Sequence, residues 1–274
     1  MTIESARSFL FTPADRPDRF AKALDSGADV VVLDLEDAIR PEAKGAARRN
    51  VVDFAGRSGR GVLVRVNGPG TSWIDDDLSA LAGLVSVAGV MVPKAEDPGR
   101  LGDLARRAGK PVVALIESVR GLMTIRDIAA TQGVARLAFG SVDFCLDAGM
   151  QESALDAVRT TIVLESRHAD LPAPADGVTV AFRDANALAD DIGRARDFGF
   201  GGKLCIHPAQ VAPVNAGFVP SEAEIAEARR IVAADEASDG GATALDGAML
   251  DLPVVERARR TLARAAAATR STTV

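Results

Sequence analysis

Two carboxylates in this chain stand where carboxylates are costly. Glu117 ends the apolar run Pro-Val-Val-Ala-Leu-Ile, and Asp143 follows Leu-Ala-Phe-Gly-Ser-Val. An acid at the end of a buried strand has to be paired or to hold a cation. Arg65 closes the earlier run Val-Leu-Val-Arg, and its guanidinium donates in a fork that matches a carboxylate or a developing enolate oxygen. The three residues together suggest a divalent metal and an anionic substrate. Mg²⁺ takes oxygen ligands and uses one or two protein carboxylates, with substrate and water in the remaining positions. A second reading of each acid stays open, because helix N-termini also favour carboxylates. Arg65 likewise has an alternative, an ion pair with Asp34, Glu36 and Asp37. The two roles are compatible, since outer groups orient inner ones.

Other chemistries find little support. The two histidines, His168 and His207, lack the paired spacing of a zinc site. No nucleophile-elbow motif supports a Ser-His-Asp triad, and no G-x-G-x-x-G or P-loop pattern supports a nucleotide site. The net charge of −6 has its acids and bases interspersed, without the basic stripe that nucleic acid requires. No apolar stretch approaches the roughly 20 residues of a membrane span. The N-terminus lacks a signal-peptide pattern, and Cys145 and Cys205 sit in apolar runs as buried thiols, so a reducing, cytoplasmic setting is expected. Arg16, Arg19 and Lys22 cluster after the first apolar run, either as a solvated helix face or as a phosphate-capturing group.

The elements that must position these groups are legible as alternation. Apolar runs at 8–12, 30–35, 61–66, 89–92, 111–116, 136–140, 177–180 and 203–206 are separated by segments with helical apolar spacing. Runs rich in Val, Ile and Leu suit parallel strands buried on both faces. With 274 residues, the chain fits an α/β TIM barrel, (β/α)8, over 1–218. Such a barrel gathers its chemistry at the C-terminal strand ends, where Asp34, Glu36, Asp37, Arg65, Glu117, Asp143 and His207 all fall. A doubly wound sheet is the rival, but it collects ligands at one crevice. Residues 219–274 form a C-terminal helical extension. Its expected parts are a helix at 221–234 opened by a Ser221/Glu224 capping box, a Gly-rich loop at 238–241, and a helix at 253–268.

In order along the chain come Arg7-Ser-Phe-Leu-Phe-Thr-Pro-Ala-Asp-Arg-Pro-Asp-Arg-Phe-Ala-Lys-Ala23, Gly27-Ala-Asp-Val-Val-Val-Leu-Asp-Leu-Glu-Asp-Ala38, Val64-Arg-Val-Asn67 and Met91-Val-Pro-Lys94. Ala114-Leu-Ile-Glu-Ser118, Phe139-Gly-Ser-Val-Asp-Phe144, Gly202-Lys-Leu-Cys-Ile-His-Pro-Ala-Gln-Val211 and Asp246-Gly-Ala-Met-Leu-Asp-Leu-Pro253 follow. As a set these segments resemble the citrate lyase beta-subunit-like proteins of the HpcH/HpaI aldolase family. The Arg16-Pro-Asp-Arg-Phe20 element resembles the stand-alone members.

The resemblance implies a Mg²⁺ enzyme, with Mn²⁺ as a possible substitute, that breaks or forms a carbon–carbon bond beside a CoA thioester. Glu117 and Asp143 would bind the metal, and Arg65 would contact the reacting oxygens. In the mechanism expected here, Asp34, Glu36 and Asp37 hold waters and Arg65 in place. Lys22, assisted by Arg16, would lie near the CoA, with Ile206 and His207 lining the pocket. Asp251 would reach a neighbouring subunit's site as acid/base in a homotrimer or dimer of trimers. Citryl-CoA, citramalyl-CoA and malyl-CoA are all family substrates, each cleaved to acetyl-CoA and a keto acid. A pyruvate aldolase acting on free hydroxy-keto acids and a silent CoA-binding subunit are the alternatives.

Overall fold

The computed structural model describes residues 2–237, 243–245 and 248–271. The Gly-rich loop at 238–241 and the Asp246-Gly247 start of the tail motif lie outside these residues. The chain divides into two compact units, Met1–Asn215 and Ala216–Val274.

The first unit is a closed barrel of eight parallel strands. They are β1 (Ser8–Pro13), β2 (Val30–Asp34), β3 (Val62–Arg65), β4 (Val87–Val92), β5 (Val112–Ile116), β6 (Val134–Phe139), β7 (Ala175–Asp176) and β8 (Gly202–Cys205). Each pairs with the next in sequence, and β1 closes on β8 through Ser8↔Lys203, Phe9↔Leu204 and Leu10↔Cys205. Phe9, Val32, Leu63, Met91, Val113 and Leu204 fill the interior, which explains the unbroken apolar runs. Arg136 is also fully buried. Its guanidinium donates to the carbonyls of Ile3, Ala6 and Ala173 and lies 5.2 Å from the Phe9 ring centroid, so its burial is satisfied by main chain. Burial pushes its pKa down to about 10.

The outer helices follow local rules. Pro98–Ala108 begins at an Asp97 cap that accepts from Arg100 N at 3.1 Å, and it ends at Gly109, whose φ of 60° suits a residue without Cβ. Leu101, Leu104, Ala105 and Ala108 repeat at helical spacing and are its buried face.

One strand departs from expectation. The seventh is Ala175–Asp176, ahead of the apolar run at 177–180. Asp176 interrupts the apolar pattern, yet it is buried because Arg159 meets it, with Nε 3.1 Å from Oδ1. The run at 177–180 lies beyond the strand end. Cys205 is buried, and burial pushes its thiol up to about 12, whereas Cys145 is only half-buried.

The second unit contains the helices Glu222–Ala237 and Leu252–Ser271 and an antiparallel hairpin, β9 (Thr243–Leu245) with β10 (Ala248–Leu250). Ser221 and Glu224 form the reciprocal cap at 2.7 and 3.2 Å. The final helix starts at Leu252, behind an Asp251 cap that accepts from Val254 N at 3.2 Å. Arg259 pairs with Asp235 at 3.0 Å across the two helices. Among the described residues, no helix is long and apolar enough to cross a membrane.

Candidate active site

The C-terminal strand ends assemble one charged cluster. Asp34, the last residue of β2, takes Arg65 in a fork, with Nε–Oδ1 and Nη2–Oδ2 both 2.7 Å. Asp34 also accepts from Glu36 N at 2.9 Å, which folds the turn back toward Arg65. Lys44 is buried beneath that turn and donates to the carbonyls of Leu35 and Glu36 at 2.8 and 2.7 Å. Arg65 Nη1 lies 3.1 Å from Glu36 Oε2 and 3.6 Å from Asp37 Oδ2. The Glu36 contact is an ion pair rather than a hydrogen bond, because Oε2 has no aligned donor. The Arg65 guanidinium also packs 4.8 Å from the Phe11 ring centroid.

Lys94, just past β4, joins this group to Glu117. It adopts a φ of 47°, strained for a residue with a Cβ. That conformation points its N–H at Glu117 Oε1 at 2.8 Å, while Nζ donates to Glu36 Oε1 at 2.8 Å. Burial opposes the charge on Lys94, but the Glu36 hydrogen bond and the Glu36 and Glu117 charges raise its pKa. Burial also raises the pKa of Glu36. Glu117 is pushed up to about 8, first by burial and then by the Glu36 charge.

A cavity of about 450 Å³ opens over these groups, lined by Arg65, Glu117, Ser141 and Asp143 among apolar walls that include Phe11, Val178 and Ile206. Asp143 is half-buried in the first turn of the helix Ser141–Ala148. Glu117 Oε2 is buried without a hydrogen-bond partner. A Cβ at position 140 would lie 2.7 Å from that oxygen, so Gly140 keeps the space beside it open. An unpartnered buried carboxylate oxygen, a second acid in the same cavity and a glycine clearing the approach fit a Mg²⁺ ion, which needs few protein ligands. Glu117 and Asp143 are the residues that would hold it.

A second cavity of about 590 Å³ shares Phe11, Pro13 and Ile206 with the first, and is lined further by Asp18, Arg19, Lys22 and His207. Lys22, Ile206 and His207 therefore come together. Arg16 does not line it; this exposed side chain is engaged by Asp18, with both contacts at 3.1 Å. Arg19 takes the lining position. Asp251 is an exposed cap in the second unit.

Sequence reasoning placed Lys94 at a strand end without giving it a role, and passed over Lys44, Ser141 and Gln210 as site residues. Lys94 carried the one usable signal, a cation directly after a strand end. Gln210 is 1 % exposed; its Oε1 accepts from Ile206 N and His207 N at 2.8 and 3.2 Å, and its Nε2 donates to Thr179 O at 2.8 Å.

The class these features define is a (β/α)8-barrel protein with a carboxylate pair and an arginine at its strand ends and a second cavity alongside. The family model for HpcH/HpaI aldolase/citrate lyase matches residues 7–208, and the chain belongs to that family. It is 38% identical over 270 residues to a citrate lyase subunit beta-like protein of Mycobacterium tuberculosis, covering 95% of this chain and 96% of the relative. It is 34% identical over 272 residues to a (3S)-malyl-CoA thioesterase of Cereibacter sphaeroides, covering 95% of each chain. The crystal structure of protein CitE from Mycobacterium tuberculosis in complex with magnesium, acetoacetate and coenzyme A superposes with a TM-score of 0.85 at 36% identity, covering 96% of this chain and 100% of that one.

Proposed function

We propose that this protein is a Mg²⁺-dependent carbon–carbon lyase that splits a 3-hydroxyacyl-CoA, of the malyl-, citramalyl- or citryl-CoA type, into acetyl-CoA and a keto acid, or runs the reverse condensation. The observation that carries the reading is the buried, unpartnered Oε2 of Glu117, a residue that lines one cavity together with Asp143 and Arg65. The magnesium and coenzyme A bound by the CitE relative support it.

Bound at Glu117 and Asp143, Mg²⁺ would supply Lewis acidity to the acid half of the substrate. The remaining work falls to the chain. Asp34 fixes Nε and Nη2 of Arg65, so Nη1, which donates no hydrogen bond among the described residues, is the donor left for the thioester oxygen. As the bond between the hydroxyl-bearing carbon and its neighbour breaks, that oxygen takes enolate charge, and a preorganised donor is worth about 3 kcal/mol. Glu36 and Asp37 keep Nη1 charged and oriented toward the cavity. Lys94 holds Glu117 through main chain and side chain. Lys22 and Arg19 suit the phosphates of CoA in the adjoining cavity, and Ile206 forms the wall between acid and thioester. Asp251 from a neighbouring copy, in a homotrimer or dimer of trimers, takes the hydroxyl proton as the bond breaks and returns it to the enolate carbon.

Hydrolysis of the thioester is the second reading, favoured by the similarity to the malyl-CoA thioesterase. Thermal unfolding with CoA, acetyl-CoA, pyruvate, oxaloacetate and glyoxylate, each with and without Mg²⁺, tests the binding pattern. Stabilisation by keto acids that requires Mg²⁺, with CoA binding that does not, is the expected result. Indifference to every CoA compound contradicts it.

A further inference from the structure

Ser141 is the group in the first cavity that the proposed lyase chemistry leaves unused. It is 2 % exposed, its Oγ has no hydrogen-bond partner, and it lines the cavity with Glu117 and Asp143. Native structures rarely keep a buried hydroxyl unpartnered, because such a group has lost water and gained nothing in exchange. The backbone around it is built to tolerate this. A Cβ at position 177 would clash with the Ser141 hydroxyl and lie 2.9 Å from its Cβ, so only glycine fits there. Gly140 does the same for Glu117 Oε2. Two glycines thus stand against two buried, unpartnered oxygens whose residues line one cavity. Among the described residues no imidazole lines that cavity, and the lyase reading commits the Glu117 and Asp143 carboxylates to the metal, so Ser141 is not read as a nucleophile. What remains is a hydroxyl that donates to a ligand oxygen.

We propose that the Ser141 hydroxyl donates a hydrogen bond to the carboxylate of a 2-oxo acid seated against Glu117 and Asp143, and so sets affinity for the acid half of the substrate. The inference rests on the lyase reading. Its signature is two opposed effects of Ser141→Ala. Removing an unsatisfied hydroxyl leaves the ligand-free protein as stable as wild type or more so, while removing a donor to a charged oxygen weakens acid binding roughly tenfold or more.

The test uses the full chain, with pyruvate and glyoxylate as probes. Melting temperature is measured in EDTA, Mg²⁺ affinity by calorimetry, and acid affinity by calorimetry at saturating Mg²⁺. The expected result for Ser141→Ala is an unchanged or higher melting temperature, Mg²⁺ affinity within about twofold of wild type, and acid affinity lowered roughly tenfold for at least one acid. Unchanged affinity for both acids overturns the proposal, and so does a lower melting temperature in EDTA, which marks a structural hydroxyl. Wild-type protein that binds neither acid refutes the lyase reading itself, and the role of Ser141 falls with it.

Discussion

Lys94 holds Glu117 from two directions. Its main-chain N–H donates to Glu117 Oε1 at 2.8 Å, and its ammonium stands 3.8 Å from the same oxygen. With Oε1 occupied, Oε2 is the oxygen left for a cation. Glu117→Gln keeps an oxygen for the Lys94 N–H and removes the charge. In metal-free buffer this variant is expected to unfold at the wild-type temperature or above, because burial already disfavours the carboxylate. Its Mg²⁺ affinity, read by calorimetry, is expected to fall on the order of a hundredfold. Near-wild-type Mg²⁺ binding would contradict the assignment of the metal site.

The proton on Glu117 makes metal binding depend on pH. Burial and then the Glu36 charge push its pKa up to about 8. Mg²⁺ needs the carboxylate, so binding below that value expels a proton. Affinity should climb with pH, approaching tenfold per unit below about 8, and flatten above it. Stability of the metal-free protein runs the other way. The unfolded chain releases this proton near the ordinary value of 4.5, so the stabilisation is complete below 4.5 and is lost as pH rises through about 8. Melting temperatures in EDTA should show that decline for wild type, and a shallower one for Glu117→Gln.

Asp251 has a structural task that any test of its chemistry must separate. It accepts from Val254 N at 3.2 Å and caps the final helix. Asparagine keeps such a cap, whereas alanine costs about 1 kcal/mol. Both variants are expected to lose lyase turnover by roughly 10²-fold or more, while only Asp251→Ala lowers the melting temperature. Mixing Asp251→Asn with Arg65→Ala protein should restore activity if one copy supplies the acid to another's site. Absence of rescue argues that the site is complete within one chain.

Gln210 ties the ends of β7 and β8 together through Thr179 O and the Ile206 and His207 amides. The stacked rings of Phe182 and His207, with centroids 4.8 Å apart, bind the same two loops. Gln210→Glu keeps the acceptor and loses the donor to Thr179. Because Ile206 walls both cavities, the variant should raise KM for a CoA thioester several-fold with a smaller change in kcat and none in Mg²⁺ affinity. Equal loss of kcat and Mg²⁺ affinity would instead mean a general loosening of the barrel mouth.

The barrel was legible because seven of its strands announce themselves as apolar runs buried on both faces. The seventh strand was misplaced because Asp176 carries a charge inside the barrel wall, and its partner Arg159 comes from a helix that no local pattern connects to it. Glu117, Asp143 and Arg65 were legible as candidates because each stands at or just past the end of an apolar run, and the structure brings all three to one cavity. Ser141 and Gln210 were not. A serine or glutamine after a strand is unremarkable until the fold shows that one is buried without a partner and that the other joins two loops. Lys94 lay between these cases: its position was visible, but the φ of 47° that turns its N–H onto Glu117 was not.

The decisive measurement is the product balance when malyl-CoA or citramalyl-CoA is incubated with the protein and Mg²⁺. Chromatography of the CoA species, with parallel thiol titration and keto-acid detection, separates the two reactions. Carbon–carbon cleavage gives acetyl-CoA and glyoxylate or pyruvate in equal amounts, releases no free thiol, and stops in EDTA and in Glu117→Gln; this is the expected result. Free CoA appearing with intact malate or citramalate, at a rate that Glu117→Gln does not change, would contradict it.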